Sequence, residues 1–277
     1  MITETVALTV RDLKRWLRTP VQILVALITP LFWLLLFGQA FNIGRLVPAG
    51  TPGVDFRAIF GGAPDYFSFM AIGQLAMIIL FTTFFGGVSL IWDRRFGFLS
   101  KLQVAPIHRI VIPLARISST VVRCMIQASI VIALAVAFVY IPGLNGLKFA
   151  TNFGGLEMLG IVLVLVLLSV GFSAVFVSLG LTVRNQETFF GLINMVNLPL
   201  MFSSNALIPI KLMPDWLATI ATYNPLTFAV DALRQLAFMT SDGATHPLAI
   251  DLLGITVFSV LMIGIGALVT RSALVRK

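Results

Sequence analysis

Charged residues are scarce in this chain. Of its 277 residues, 11% are Asp, Glu, Lys or Arg, whereas 58% are hydrophobic. An average soluble domain has about 25% charged residues. Because so few charges cannot cover a water-exposed surface, lipid must be the solvent for most of the chain.

The sequence also lacks the residue patterns of common catalytic and metal sites. Cys124 is the single cysteine, so neither an internal disulfide nor a paired-cysteine metal site can form. The motifs H-E-x-x-H, G-x-S-x-G and G-x-x-x-x-G-K-[ST] are absent. The two histidines, His108 and His246, are predicted on opposite sides of the membrane. We therefore expect no catalytic residue, no metal site and no nucleotide-binding loop on this chain.

Ionisable residues are missing from the centres of the long apolar runs. Such a residue costs about 2.5–3.5 kcal/mol to insert, a cost that pumps and ion-coupled carriers usually bear. We therefore expect that energy for any uphill transport comes from elsewhere. A self-contained channel or carrier stays open as an alternative, although the chain has no filter motif and no ring of charge.

Six runs are free of Asp, Glu, Lys and Arg and are long enough to cross a bilayer, which takes about 20 residues. The sequence therefore predicts an all-α polytopic membrane protein, a single domain over residues 1–277. The six transmembrane helices are predicted at about 20–41, 67–91, 118–140, 158–182, 188–208 and 251–270.

Basic residues indicate the orientation. With six crossings both termini lie on one side, and the segments of that side hold 14 of the 19 Lys and Arg residues. The positive-inside rule makes that side cytoplasmic. We therefore predict a protein of the cytoplasmic membrane with both termini inside. Orientation in the membrane explains the net charge of +8 better than binding of nucleic acid does.

Residues 4–18 have the pattern of a basic amphipathic helix that lies in the headgroup layer. Apolar residues recur at helical spacing at Val6, Val10, Leu13 and Leu17. The predicted interfacial residues on the other side, with one aromatic, are Arg11, Lys14, Arg15, Trp16 and Arg18. A frayed cytosolic tail is the alternative.

The segment between the second and third spans is predicted to be a cytoplasmic helix that Pro106 ends. Phe96 and Phe98 flank Gly97, which permits close backbone approach. Leu99 and Leu102 continue an apolar stripe. Aromatic and arginine side chains commonly anchor protein interfaces. The segment is thus either a contact surface or an ordinary basic loop with a surface helix.

Residues of the second and fifth spans are candidates for a translocation path. The alternatives are packing for the phenylalanines and interhelical hydrogen bonding for the asparagines. The candidates are Phe81, Phe84, Phe85, Asn194, Asn197, Met201 and Asn205.

The segment before the sixth span is predicted to be a re-entrant or interfacial helix pair. Two short helices, about 215–222 and 226–239, are broken at Asn224–Pro225. Asp231 and Arg234 are spaced for a local ion pair.

Two stretches resemble the ABC-2 type transporter permeases, and within them the bacterial drug-export type similar to daunorubicin-resistance permeases. The first, DRRFGFLSKLQVAPIHR, is similar to the cytoplasmic coupling region of that family. The second, LPLMFSSNALIPIKLMPDWLATIATYNPLTFAVDALR, is similar to the exit of its fifth span and its outer hairpin. Asp93 stands where many members have glutamate.

The resemblance implies a function. Such permeases pair with a second permease subunit, here as a homodimer, and with separate ATPase subunits that bind ATP and Mg²⁺. We therefore expect export of hydrophobic or amphipathic molecules, with a lipid-linked glycan as the alternative cargo. The N-terminal helix would help the coupling segment to dock in the ATPase. The coupling residues implied are Asp93, Arg94, Arg95, Phe96, Gly97, Phe98, Leu99, Lys101, Leu102 and Pro106.

Overall fold

A computed structural model of the protein describes residues 1–40, 56–104, 106–183 and 185–275. In these ranges the regular structure is helical throughout, with short 3₁₀ turns at Phe138–Tyr140 and Ile210–Leu212. The helices are α1 (Ile2–Leu17), α2 (Pro20–Ala40), α3 (Phe56–Ile59), α4 (Tyr66–Arg95), α5 (Phe98–Val104), α6 (Val111–Ala137), α7 (Gly155–Thr182), α8 (Gln186–Phe202), α9 (Asp215–Thr222), α10 (Pro225–Phe238) and α11 (Leu248–Val275).

Four helices of the described residues are long and apolar enough to cross a membrane. They are α4, α6 with its 3₁₀ extension, α7, and α11 up to Ser272. An all-helical membrane architecture is therefore confirmed. The apolar part of α2, Leu27–Gln39, is shorter, and α8 has 17 residues. That α2 and α8 also cross stays a prediction, and the predicted end of the first span, residue 41, lies outside the described residues.

Helices α4, α6 and α8 each have an end that differs from the predicted span, and each of these differences has a local cause. Helix α4 continues to Arg95 and α6 begins at Val111, so both reach beyond the apolar runs into charged sequence. Their charged side chains are paired with other helices, which lets the helices continue. Helix α8 ends at Phe202 because its last carbonyl groups are taken by Asn224, whose Nδ2 lies 2.8 Å from Leu200 O and 2.7 Å from Ser203 O.

Helix α4 is the centre of the bundle and packs against α2, α6, α7 and α10. Its approach to α7 is very close at a pair of glycines. A Cβ atom added to Gly87 would lie 2.4 Å from Phe176 O, and one added to Gly180 would lie 2.5 Å from Gly87 O. Small residues at such crossings let two membrane helices pack backbone to backbone. The contact fixes where α4 and α7 cross.

Helix α1 packs along α6 and has two distinct faces. Asp12 and Trp16 are buried against the bundle, whereas Val6, Val10 and Leu17 are exposed. The exposed apolar side chains are those that the sequence assigns to the headgroup layer. On the basic side predicted from the sequence, Arg11 and Arg15 contact other helices.

The helix pair before α11 breaks at Asn224, which caps α10 by accepting a hydrogen bond from Leu226 N at 2.9 Å. The ion pair predicted between Asp231 and Arg234 is wrong. Arg234 is buried and donates to Asn205 O at 2.9 Å and to Phe69 O at 3.1 Å. Asn205 O lies after the end of α8, where a helical partner is lacking, and Phe69 O lies in the first turn of α4.

Candidate functional site

Four charged side chains join three helices at one end of the bundle, and we call this cluster the helix junction: Asp12 and Arg15 of α1, Asp93 of α4, and Arg116 of α6. Arg15 Nη1 donates to Asp93 Oδ1 at 2.9 Å, and Arg116 Nη1 lies 3.1 Å from Asp12 Oδ2. Arg116 Nη2 also donates to Asp93 Oδ2. Arg116 therefore bridges two carboxylates from two other helices.

The helix junction is largely removed from solvent. Asp12, Asp93 and Arg116 are 4%, 3% and 6% exposed. Removing one partner of such a buried pair costs about 3–5 kcal/mol, because the remaining charge has no compensation. The junction therefore holds α1, α4 and α6 to one another much more specifically than apolar packing would.

Two further arginines extend the contact between α1 and its neighbours. Arg123 Nη2 of α6 donates to Asp12 O at 2.8 Å and lies over the Trp16 ring at 5.7 Å. The guanidinium of Arg11 lies 3.5 Å from the centre of the Phe98 ring on α5. Burial lowers the pKa of Arg11 from its usual value. Helix α1 thereby contacts α5 as well as α4 and α6.

A sharp turn joins α4 to α5. Gly97 has a φ of +70°, and its N–H donates to Arg94 O at 3.0 Å, which closes the last turn of α4. A left-handed glycine commonly ends a helix in this way. Arg94 in turn donates to Val183 O at 2.8 Å, at the end of α7. The turn is thus anchored on the bundle and α5 projects from it.

The ten predicted coupling residues divide into buried and exposed groups. Asp93 belongs to the helix junction, and Leu99 is buried with Leu90 and Ile112. Arg94, Gly97, Phe98 and Leu102 are half-buried. We call the outward surface the turn surface. It includes Phe96, which is 74% exposed, and an apolar residue that sequence reasoning missed, Val104, which is 86% exposed. It consists of Arg95, Phe96, Lys101, Val104 and Pro106.

An apolar cavity of about 160 Å³ lies between α2, α4 and α8. Four of the predicted path residues line it together: Phe81, Phe84, Phe85 and Met201. The other lining residues are Thr29, Pro30, Trp33, Gln74, Met77, Ile78 and Leu207. The cavity has the aromatic and aliphatic walls of a site for an apolar molecule.

The three predicted asparagines do not line this cavity. Asn194 is on the exposed face of α8, whereas Asn197 is buried on another face. Asn205 is buried after the end of α8, and its carbonyl accepts from Arg234. The three asparagines therefore differ in burial and position, and they do not lie together on one surface.

Gln74 is a lining residue that sequence reasoning missed. It is 2% exposed, and its Nε2 makes no hydrogen bond within the described residues. A buried amide without a partner carries a free-energy penalty of about 1–3 kcal/mol, which a bound acceptor can remove. The available signal was that Gln74 is the one amide side chain in the apolar run 66–92.

A second cavity, of about 190 Å³, opens beside the helix junction. Arg15, Arg116 and Trp16 line it together with hydroxyl and amide groups, among them Thr82, which donates to Gln127 Oε1. Phe85 lines both this polar cavity and the apolar one. The two cavities therefore meet at one side chain, and together they offer a charged, hydrogen-bonding end and an apolar end.

These features define a helical membrane bundle with a cluster of paired charges at the helix junction and cavities between its helices. Residues 3–238 match the model of the ABC-2 type transporter family. The chain belongs to this family, whose members are permease subunits of ATP-binding cassette transporters.

Relatives agree with this assignment. The chain is 32% identical to a transport permease named ycf38 from Pyropia yezoensis, over 85% of this chain and 74% of the relative. It is 24% identical to the daunorubicin resistance ABC transporter permease DrrB1 of Streptomyces coeruleorubidus, over 80% and 70%. It is 22% identical to a doxorubicin resistance ABC transporter permease, DrrC, of Mycobacterium tuberculosis, over 85% and 77%.

Proposed function

We propose that the chain exports hydrophobic or amphipathic molecules from the cytoplasm, using ATP and Mg²⁺ bound by a separate ATPase subunit. The observation that carries this proposal is that a single helix, α4, lines both cavities and ends at the turn surface. Its 30 residues span about 45 Å at 1.5 Å per residue. Motion applied at the turn reaches the cavities through one rigid element.

The turn surface is the proposed docking site for the ATPase. Phe96 and Val104 are exposed apolar side chains next to Arg95 and Lys101, a combination that suits a protein interface. The buried coupling residues have a different role. Asp93 transmits the motion to α1 and α6 through the helix junction, and Arg94 transmits it to α7.

The cavities support the choice of cargo. An amphipathic molecule can place its apolar body among Phe81, Phe84 and Met201 and its polar group near Gln74 or the helix junction. The drug-resistance names of two relatives favour this cargo over a lipid-linked glycan. A glycan needs many hydrogen-bonding groups, and the wall of the apolar cavity supplies few.

A second copy of the chain is the proposed partner in the membrane. Helix α2 exposes Leu24, Ile28 and Phe32, and α8 exposes Met195 and Leu198. These faces flank the apolar cavity, so a homodimer that buries them would place two cavities near one another. Lipid covers the remaining apolar surface. We place the helix junction and both termini on the cytoplasmic side by the positive-inside rule.

Complex formation with the ATPase tests the docking site. The chain is co-purified in lipid nanodiscs with the ATPase encoded nearest to it in the genome, as wild type, Phe96→Asp and Val104→Asp. A charge at the centre of an interface should reduce recovery of the complex at least about tenfold. Tyr140→Asp is the matched control, because Tyr140 is 84% exposed at the other end of the bundle. If Tyr140→Asp reduced recovery of the complex as much as Phe96→Asp and Val104→Asp do, the proposed docking site would be refuted.

Transport in liposomes tests the cargo. Doxorubicin efflux should require the ATPase, ATP and Mg²⁺, and Gln74→Leu should change its KM more than its kcat because the amide contacts bound cargo. Efflux by the chain alone would establish a self-contained carrier or channel instead. Transport of a lipid-linked oligosaccharide with no effect of doxorubicin on ATP hydrolysis would establish the glycan alternative.

A further inference from the structure

Three potential metal ligands meet at the end of the bundle opposite the helix junction. Asp231 lies on α10, His246 in the loop that follows, and Asp251 in the first turn of α11. One ligand atom from each residue lies within 4.8 Å of the other two. They come from two helices and a loop, and the fold brings together residues that are up to 20 positions apart in sequence.

Asp251 has an unused, buried ligand atom. The residue is 0% exposed, and its Oδ2 accepts a hydrogen bond from Gln235 Nε2 at 2.8 Å. Its Oδ1 has no hydrogen-bond partner among the described residues. That oxygen faces His246 Nδ1 at 3.4 Å, and the nitrogen likewise makes no hydrogen bond there. A buried oxygen and an imidazole nitrogen, neither with a hydrogen-bond partner among the described residues, thus lie close to each other.

Asp231 fixes the loop that supplies the histidine. Its Oδ2 accepts hydrogen bonds from Thr245 N at 2.6 Å and His246 N at 3.0 Å. Gln235 Nε2 adds a hydrogen bond to His246 O at 3.0 Å. The imidazole is therefore held between the two carboxylates by its own backbone, and the group is organised before any ligand arrives.

Charge favours a cation at this place. Asp231 and Asp251 are both buried, and two carboxylates in a low-dielectric site repel each other when ionised. Arg234 attracts the Asp231 carboxylate from one turn away, but its guanidinium donates to Asn205 O and Phe69 O and not to either carboxylate. Two carboxylate oxygens and one imidazole nitrogen match the ligand preferences of Zn²⁺, with a further position left for water.

We propose that Asp231, His246 and Asp251 bind a divalent transition-metal ion of the zinc type, which joins α10 and the loop after it to α11. Gln235 orients Asp251 from behind, in the manner of the outer-shell partners of metal ligands. The site is independent of the export function, since it lies away from both cavities and the turn surface.

Zinc binding by the purified full chain tests this site. The protein carries an affinity tag without histidine, is stripped with EDTA and dialysed, and is then titrated with ZnCl₂ at about pH 7.5, because metal affinity depends on pH. We expect one Zn²⁺ per chain by elemental analysis. At a free zinc concentration of tenfold Kd, the Tm should rise by about 3–6 °C.

The chain offers matched controls because it has two histidines. His246→Gln and Asp251→Asn should abolish the bound zinc and the Tm rise, and Gln235→Ala should weaken binding about 10–100-fold. His108→Gln and Asp242→Asn, outside the cluster, should bind as the wild type does.

Several outcomes would overturn the site. They are a wild type that binds no zinc, zinc retained by His246→Gln, equal loss in His108→Gln, or a Tm rise with CaCl₂ but none with ZnCl₂. The wild-type titration decides the matter even if a substituted chain fails to fold.

Discussion

The two ends of the bundle bury arginine in different ways. At the helix junction, Arg116 is bound by the carboxylates of Asp12 and Asp93 from two other helices. At the opposite end, Arg234 donates to backbone carbonyl groups, one of them that of Asn205. Side-chain pairs between helices can exchange partners as the helices move, whereas carbonyl ligands hold a backbone segment in place. The comparison suggests a movable end and a fixed end.

The largest expected effect comes from breaking the junction. Arg116→Met should lower the free energy of unfolding by about 3–5 kcal/mol, because Asp12 and Asp93 then remain buried without their shared partner. Denaturant unfolding in detergent measures the change. In Arg116→Met/Asp93→Asn one of the two buried carboxylates that lost Arg116 is gone, so part of the stability should return.

Arg18→Gln is the control for that change. Arg18 is an exposed arginine that follows α1 at the same end of the bundle, and its substitution should change the free energy of unfolding by less than about 0.5 kcal/mol. If Arg116→Met were no more destabilising than this control, the helix junction would not be a charge-paired contact.

A smaller effect is expected at the fixed end. Arg234→Met should lower the free energy of unfolding by about 2–3 kcal/mol, since Asn205 O and Phe69 O lose their charged donor. Arg234→Lys should restore little, because one ammonium cannot reach both carbonyl groups and also stack on the Phe69 ring, which lies 3.6 Å from the guanidinium. Full restoration by lysine would show that charge alone matters there.

The smallest effect concerns the turn that carries the proposed docking surface. Gly97→Ala should cost about 1–2 kcal/mol, because its φ of +70° is unfavourable for a residue with a Cβ atom. No neighbouring atom would clash, so the cost is purely conformational. Gly155→Ala, also without neighbours within 4 Å and without a positive φ, should be neutral or stabilising. Differential scanning fluorimetry of both variants makes the comparison.

Several parts of the fold follow directly from local sequence. Long apolar runs give α4, α6, α7 and α11, and Asn224–Pro225 gives the break between α9 and α10. These predictions are correct because the bilayer thickness sets the length of a spanning helix and proline marks where a helix begins. Neither rule requires knowledge of residues distant in sequence. The overall class was predictable for the same reason, whereas the family was predicted from two stretches of sequence that resemble it.

The candidate site was predicted less completely. The phenylalanines of α4 and Met201 share one cavity, as expected for path residues, but Asn194, Asn197 and Asn205 do not. Asp93 and Phe96 are three residues apart in sequence, yet Asp93 is 3% exposed and Phe96 is 74% exposed. Spacing places residues on a helix face, but it does not say which neighbour covers that face.

The sequence by itself determined that this chain is a helical membrane protein and that its charged residues lie mainly near the ends of the helices. Those properties depend on the free energy of transferring apolar and charged groups into a bilayer. That free energy is a sum over the residues of each segment. Tertiary structure alone decided that Arg116 joins Asp12 to Asp93, that Gln74 faces a cavity, and that Asp231, His246 and Asp251 meet. These contacts depend on how helices distant in sequence cross one another, and that is a property of packing that no local pattern contains.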